Sequence, residues 1–128
     1  MRILLDTHLL LRIVGYPGRL PPEVRAMVLD AGNHVYFSAA SIWEIAIKGA
    51  LRRKDFQADC RRVVEALISH GFVELPITAA HAARVAELPG VHRDPFDRML
   101  IAQSVAEPMT LLTIDALLGR YGSIVKVV

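Results

Sequence analysis

With 128 residues, 53 % apolar and 22 % charged, the chain is long enough for one core and too apolar for disorder. A net charge of +2 is compatible with nucleic acid but far too weak to show it, and no run approaches the roughly 20 apolar residues of a membrane span. Cys60 stands alone, which excludes an intrachain disulfide or a multi-thiolate metal site and fits a cytoplasmic protein.

Ile3-Leu4-Leu5 is wholly apolar and predicts a strand buried on both faces, ended by Asp6. Leu9 to Val14 predicts a turn or two of helix, closed by Gly15, Pro17 and Gly18. Pro21-Pro22 opens a helix from Glu23 to Ala31, since proline suits a first helical turn. His34 to Phe37 is rich in β formers and predicts the second strand. From Ser38 or Ser41 a helix carries Ile42, Ile45, Ala46, Ala50 and Leu51 on one side and ends in Arg52-Arg53-Lys54, a favourable positive terminus. Another spans Ala58 to Ser69, with Gly71 beyond its end. Phe72 to Leu75 predicts a strand, Thr78 to Glu87 a helix, and Asp94-Pro95 the start of a helix through Ala106. Met109 to Leu112 predicts a strand, Ala116 to Arg120 a short helix, and Ile124 to Val128 the last strand. Apolar strands alternating with helices predict one α/β domain over residues 1–128, with a central, mostly parallel β-sheet flanked by helices on both sides.

In such a fold the C-terminal ends of the strands and the N-terminal ends of the crossover helices share one edge of the sheet, where open α/β sheets bind ligands. Asp6 follows the first strand and Asp115 the fourth, while Glu44 and Asp97 lie in the first turns of their helices. Each has a structural reading as well. Asp6 can end a strand, Glu44 can complete a capping box with Ser41 or pair with Lys48, and Asp94, Asp97 and Asp115 suit helix starts. Converging carboxylates repel unless a cation neutralises them, and an oxygen-rich set without sulfur suits Mg²⁺ or Mn²⁺. A phosphodiester hydrolysed by metal-activated water needs that arrangement.

Leu4-Leu5-Asp6-Thr7, Ser41-Ile42-Trp43-Glu44-Ile45, His92-Arg93-Asp94-Pro95-Phe96-Asp97-Arg98 and Leu112-Thr113-Ile114-Asp115 together resemble the PIN-domain proteins. Among these the chain is most similar to the VapC-type ribonucleases, the toxin halves of type II toxin–antitoxin pairs. The resemblance covers essentially the whole chain. It implies a PIN fold, a Mg²⁺ or Mn²⁺ site on Asp6, Glu44, Asp97 and Asp115, and endonucleolytic cleavage of RNA. It further implies a homodimer, neutralised by a cognate antitoxin through which alone operator DNA is bound. Thr7 and Thr113 match positions that support the site, with strand and turn chemistry as their structural reading. Asp94 stands near enough to be a fifth acid, although the family's third acid matches Asp97.

RNA flanking the scissile phosphate needs cationic side chains, for which Arg12, Lys48 and Arg98 are best placed. Trp43 suits a core or dimer-interface position or, less simply, a base-stacking one. His8 and His92 lack a partner at zinc-site spacing and are not read as ligands. A receiver domain would need an acid pair after the first strand, and a HAD-type phosphatase would need an aspartate where His8 stands. The alternatives left are a solitary PIN nuclease of RNA processing and a non-catalytic module that takes a basic peptide in its acidic groove.

Overall fold

The computed structural model describes residues 1–128. Its sheet has five strands, β1 (Arg2–Leu5), β2 (His34–Ser38), β3 (Val73–Leu75), β4 (Thr110–Thr113) and β5 (Val125–Val127). All pair in parallel, in the order β3-β2-β1-β4-β5. The α-helices are α1 (Thr7–Gly15), α2 (Pro22–Leu29), α3 (Ala39–Ala50), α4 (Cys60–Ser69), α5 (Ala79–Arg84) and α6 (Pro95–Ala106).

Side chains of a strand alternate between faces, and here both faces are buried. Ile3 and Leu5 of β1 pack with Leu9, Leu10, Val24, Ile45 and Leu67 from α1 to α4. Leu4, between them, packs on the other face with Leu100 and Ile101 of α6 and with Leu118. All three β1 side chains are fully buried, each stabilising the fold by roughly 2–3 kcal/mol relative to an exposed position.

The chain steps outward from β1 to β2 and β3, then returns to the opposite side of β1 with β4 and β5. After β1 it enters α1 on one face; after β4 it enters a 3₁₀ turn, Ala116–Tyr121, whose Leu118 packs on the other. The C-terminal ends of β1 and β4 are thus a topological switch point, paired through Leu5 and Leu112.

The element boundaries differ from the sequence expectations where tertiary contacts decide them. Helix α1 begins at Thr7 rather than Leu9, because Asp6 both ends the strand and caps the helix, with no loop between. The expected helix to Glu87 holds its α form only to Arg84 and tightens into a 3₁₀ turn over Val85–Glu87; Leu88, which precedes Pro89, is driven out of the helical region. Ala116–Tyr121 is likewise 3₁₀ rather than α. Gly71, just past α4, has φ +85°, a left-handed turn that a side chain would strain. No helix is long and apolar enough to cross a membrane.

Candidate active site

Asp6 stands at the switch point with its side chain buried. One carboxylate oxygen accepts the Leu9 N–H at 2.8 Å, and the other accepts the Thr113 hydroxyl. Thr113 is the last residue of β4, the strand beside β1, and its Oγ1 in turn accepts the Asp115 N–H at 3.0 Å. A single threonine therefore ties together two acids more than a hundred residues apart. Burial pushes the Asp6 carboxyl above the usual carboxylate range, outweighing the hydrogen bonds from Thr113 and Leu9 that pull it down.

Helix α3 starts directly from β2, with the Ser38 hydroxyl accepting the Ala40 N–H at 3.0 Å. Three and four residues apart, Ser41, Glu44 and Lys48 share one side of it. Glu44 Oε1 accepts the Thr7 hydroxyl at 2.5 Å, and Thr7 Oγ1 lies 3.0 Å from the Ser41 hydroxyl. Glu44 Oε2 meets the Lys48 ammonium at 2.5 Å, and the same Nζ reaches Asp94 Oδ2 at 2.8 Å. Asp94 is also the cap of α6: its Oδ1 accepts the N–H groups of Phe96 and Asp97, ahead of Pro95 in the first turn. Burial acts to raise the Asp94 carboxyl, yet the Lys48 hydrogen bond outweighs it and holds Asp94 below its ordinary range. For Lys48, burial acts to lower the ammonium and the bonds to Asp94 and Glu44 overcome it, so its proton is held more tightly than usual.

Asp97 differs from these. Its side chain is only 20 % exposed, yet it receives no hydrogen bond from the protein, and the nearest donor is His92 Nε2 at 3.4 Å. Burial, then the negative charges of Asp94, Glu44 and Asp6, push its carboxyl up to about 7. Asp115 caps the 3₁₀ turn through Oδ1, leaving Oδ2 at 3.7 Å from His92 Nε2. One ligand atom each of His92, Asp97 and Asp115 thus fall within 4.8 Å of one another. His92 Nδ1 accepts the Asp94 N–H at 2.9 Å, which in the neutral ring leaves the proton on Nε2, facing the two acids.

All of the predicted acids, Asp6, Glu44, Asp97 and Asp115, stand at this sheet edge, as do Thr7, Thr113 and Asp94. The cationic residues divide. Lys48 is inside the cluster rather than on its rim. Arg12 lines a groove of about 660 Å³ with His8, Arg19 and Lys54, and none of the site acids lines it. Arg98 points away: its guanidinium donates to the carbonyls of Val85, Leu88, Pro89 and His92 and to the Tyr121 hydroxyl, so its donors are already engaged. Trp43, expected in a core or interface, is 55 % exposed and touches Phe96 edge-on.

The PIN domain family matches the sequence over residues 3–123. The chain belongs to the PIN-domain family. None of the curated proteins matches it in sequence. Among solved structures the fold resembles VapBC2 from Rickettsia felis bound to a DNA fragment from their promoter, at TM-score 0.69 and 16 % identity over 98 % of each chain. DNA-bound VapBC from Salmonella typhimurium gives TM-score 0.71 at 18 % identity, covering 98 % of this chain and 97 % of that one. FitAcB from Neisseria gonorrhoeae gives 0.60 at 21 %, covering 93 % and 91 %.

PIN nucleases typically use a divalent metal, and the donor set of this PIN domain fits one. The Asp97 carboxylate is partly buried, accepts no hydrogen bond and lies 3.4 Å from His92 Nε2, and Asp115 offers a second oxygen nearby. Oxygen donors at such a site suit Mg²⁺ or Mn²⁺. Two members of the cluster escaped the sequence reading. His92 was set aside for want of a zinc-type spacing, although its position two residues before the Asp94 cap was the available signal. Ser41 was weighed only as a cap, and no spacing links it to Thr7.

Proposed function

We propose that this PIN domain, over its full length, is a Mg²⁺- or Mn²⁺-dependent endoribonuclease acting as the toxin of a toxin–antitoxin pair in the cytoplasm. The observation that carries this reading is the undonated Asp97 carboxylate, pushed up to about 7 beside Asp6 and Asp115. A partly buried acid raised by neighbouring negative charges suits a site organised for a cation. Asp6, Asp97 and Asp115 would hold the ion, while Glu44, expected from the sequence as a fourth ligand, has its oxygens on Thr7 and Lys48 and would act beside it. When bound, it supplies an activated water and stabilises charge on the phosphate oxygens.

The chain's own groups supply the rest. Thr113 fixes the Asp6 carboxylate and the Asp115 backbone together, keeping the two ends of the site in register. Thr7 and Lys48 hold both Glu44 oxygens, so this side chain is oriented before any substrate arrives. His92 Nε2–H faces the acids and is placed to donate to a phosphate oxygen. Arg12, with Arg19 and Lys54 in the same groove, supplies positive charge for phosphates flanking the cleaved one.

Two of the similar structures, from Rickettsia felis and Salmonella typhimurium, are VapBC complexes with DNA, which supports an antitoxin partner through which operator DNA would be bound. Along α3 and its C-cap, Trp43, Ile47 and Leu51 recur every four residues and are exposed, which suits the interface of a homodimer. The test is incubation of the purified chain with RNA. Cleavage is expected with Mg²⁺ or Mn²⁺, none in EDTA, and none by Asp6→Asn; activity that persists in chelator overturns the reading.

A further inference from the structure

We propose that the Lys48 ammonium takes the place of a second divalent cation, so that the site holds a single metal ion on its Asp6, Asp97 and Asp115 side. This rests on the metal-dependent reading above and concerns how the cations are arranged within it. Carboxylates that line a phosphodiester-cleaving site can gather two divalent ions or one. Here the acids form two groups, and only one of them lacks a cation of the protein's own.

On the α3 side both Glu44 oxygens are taken, Oε1 by Thr7 and Oε2 by Lys48 at 2.5 Å. Asp94 is likewise occupied, with Oδ1 on the Phe96 and Asp97 N–H groups and Oδ2 on Lys48 at 2.8 Å. The ammonium is fixed in place. It is anchored four residues along the same helix from Glu44 and flanked by the rings of Phe56 and Phe96, whose centroids lie 5.0 and 5.5 Å away. A divalent ion seated between Glu44 and Asp94 would have to displace it or sit against a like charge in a poorly solvated pocket, where such repulsion is strong.

On the other side, Asp97 accepts no hydrogen bond, with His92 Nε2 at 3.4 Å, and Asp115 keeps Oδ2 directed to the same space. Mg²⁺ needs no more than one or two carboxylates, together with waters and phosphate oxygens. Lys48 forms only two hydrogen bonds, to Glu44 and Asp94, so its third N–H is left for a phosphate oxygen. As a compact point charge it can do for a substrate what a second ion would do electrostatically, without a coordination sphere to complete.

The test is Mn²⁺ binding by the full-length chain, followed by isothermal titration and by electron paramagnetic resonance, with no substrate and no activity readout. The wild type is expected to bind one ion per chain with an uncoupled spectrum. Lys48→Met is expected to bind two, with a spin-coupled pair; Lys48→Gln, which keeps a polar side chain, serves where the Met variant does not fold by circular dichroism. Two coupled ions in the wild type overturn the proposal, as does a single ion in a folded Lys48 variant. No Mn²⁺ binding by any of the chains overturns the metal-dependent reading along with it. One ion bound here by a wild type that fails the separate RNA-cleavage test above overturns the nuclease reading and leaves the cation arrangement standing.

Discussion

Two aspartates in this protein have the same local task and opposite electrostatics. Asp6 caps α1 and Asp94 caps α6, each by accepting N–H groups from the first turn. Asp6 is pushed up by burial, which outweighs its hydrogen bonds and the more distant charge of His8, whereas Asp94 is held down because Lys48 bonds to it directly. A helix cap alone therefore does not fix the charge of the capping acid; a cation within hydrogen-bond reach does. Asp6 and Asp97, which lack such a partner, are both pushed up.

The largest effect should come from Asp6→Asn. Asparagine caps a helix about as well as aspartate, so α1 should survive while metal-assisted chemistry is lost, by roughly a thousandfold or more for a term of several kcal/mol. Single-turnover cleavage with circular dichroism as the fold control checks this, and a well-folded variant with near-normal cleavage would break the contrast at its Asp6 end.

Next is Lys48→Met. Removing the cation leaves Glu44 and Asp94 facing each other in a poorly solvated space, which should cost about 2–4 kcal/mol at neutral pH. Urea unfolding measures it. The same variant should raise the Asp94 carboxyl toward the Asp6 behaviour, visible by NMR titration of its side-chain carbon.

A smaller effect of opposite sign is expected for Asp97→Asn. Between its ordinary 3.8 and about 7, the folded chain keeps a proton on Asp97 that the unfolded chain has released. Stability linked to this group is therefore present at low pH and lost as pH rises across that window. In EDTA at pH 8 the variant should be more stable by roughly 1–3 kcal/mol, with a flatter dependence of melting temperature on pH between 4 and 7. For the wild type, Mn²⁺ affinity should rise across the same range, because the ion competes with that proton.

The smallest effect is that of Asp94→Asn, which retains the cap and loses only the ion pair. It should cost about 1 kcal/mol, well below Lys48→Met, because Asp94 is the more solvated member of the pair. A loss as large as that for Lys48→Met would mean that the bond to Asp94, rather than the one to Glu44, carries most of what Lys48 contributes.

Much of this was legible from the sequence because it depends on local order. An apolar strand ended by an acid, or a helix opened by Asp94-Pro95, fixes which end of the sheet a carboxylate occupies, so Asp6, Glu44, Asp97 and Asp115 could be placed at one edge. What was hidden depends on direction and distance. The Lys48 pairing with Glu44 follows from helical spacing, but its bond to Asp94 spans 46 residues and leaves no local trace. Arg98 adjoins Asp97, yet successive residues of a helix face different ways, so adjacency to an acid said nothing about access to substrate. Trp43 suits a core or a dimer interface by sequence, and its exposure on α3 takes it out of the core of this chain.

The Arg98 fork has a further consequence. By gathering the carbonyls of Val85, Leu88, Pro89 and His92, it anchors the segment that carries the imidazole to the site. A mutational scan scored only by phenotype would rank this arginine beside the acids, although it meets no reactant. Lysine would be a poor replacement, since a single ammonium cannot span so many acceptors at once.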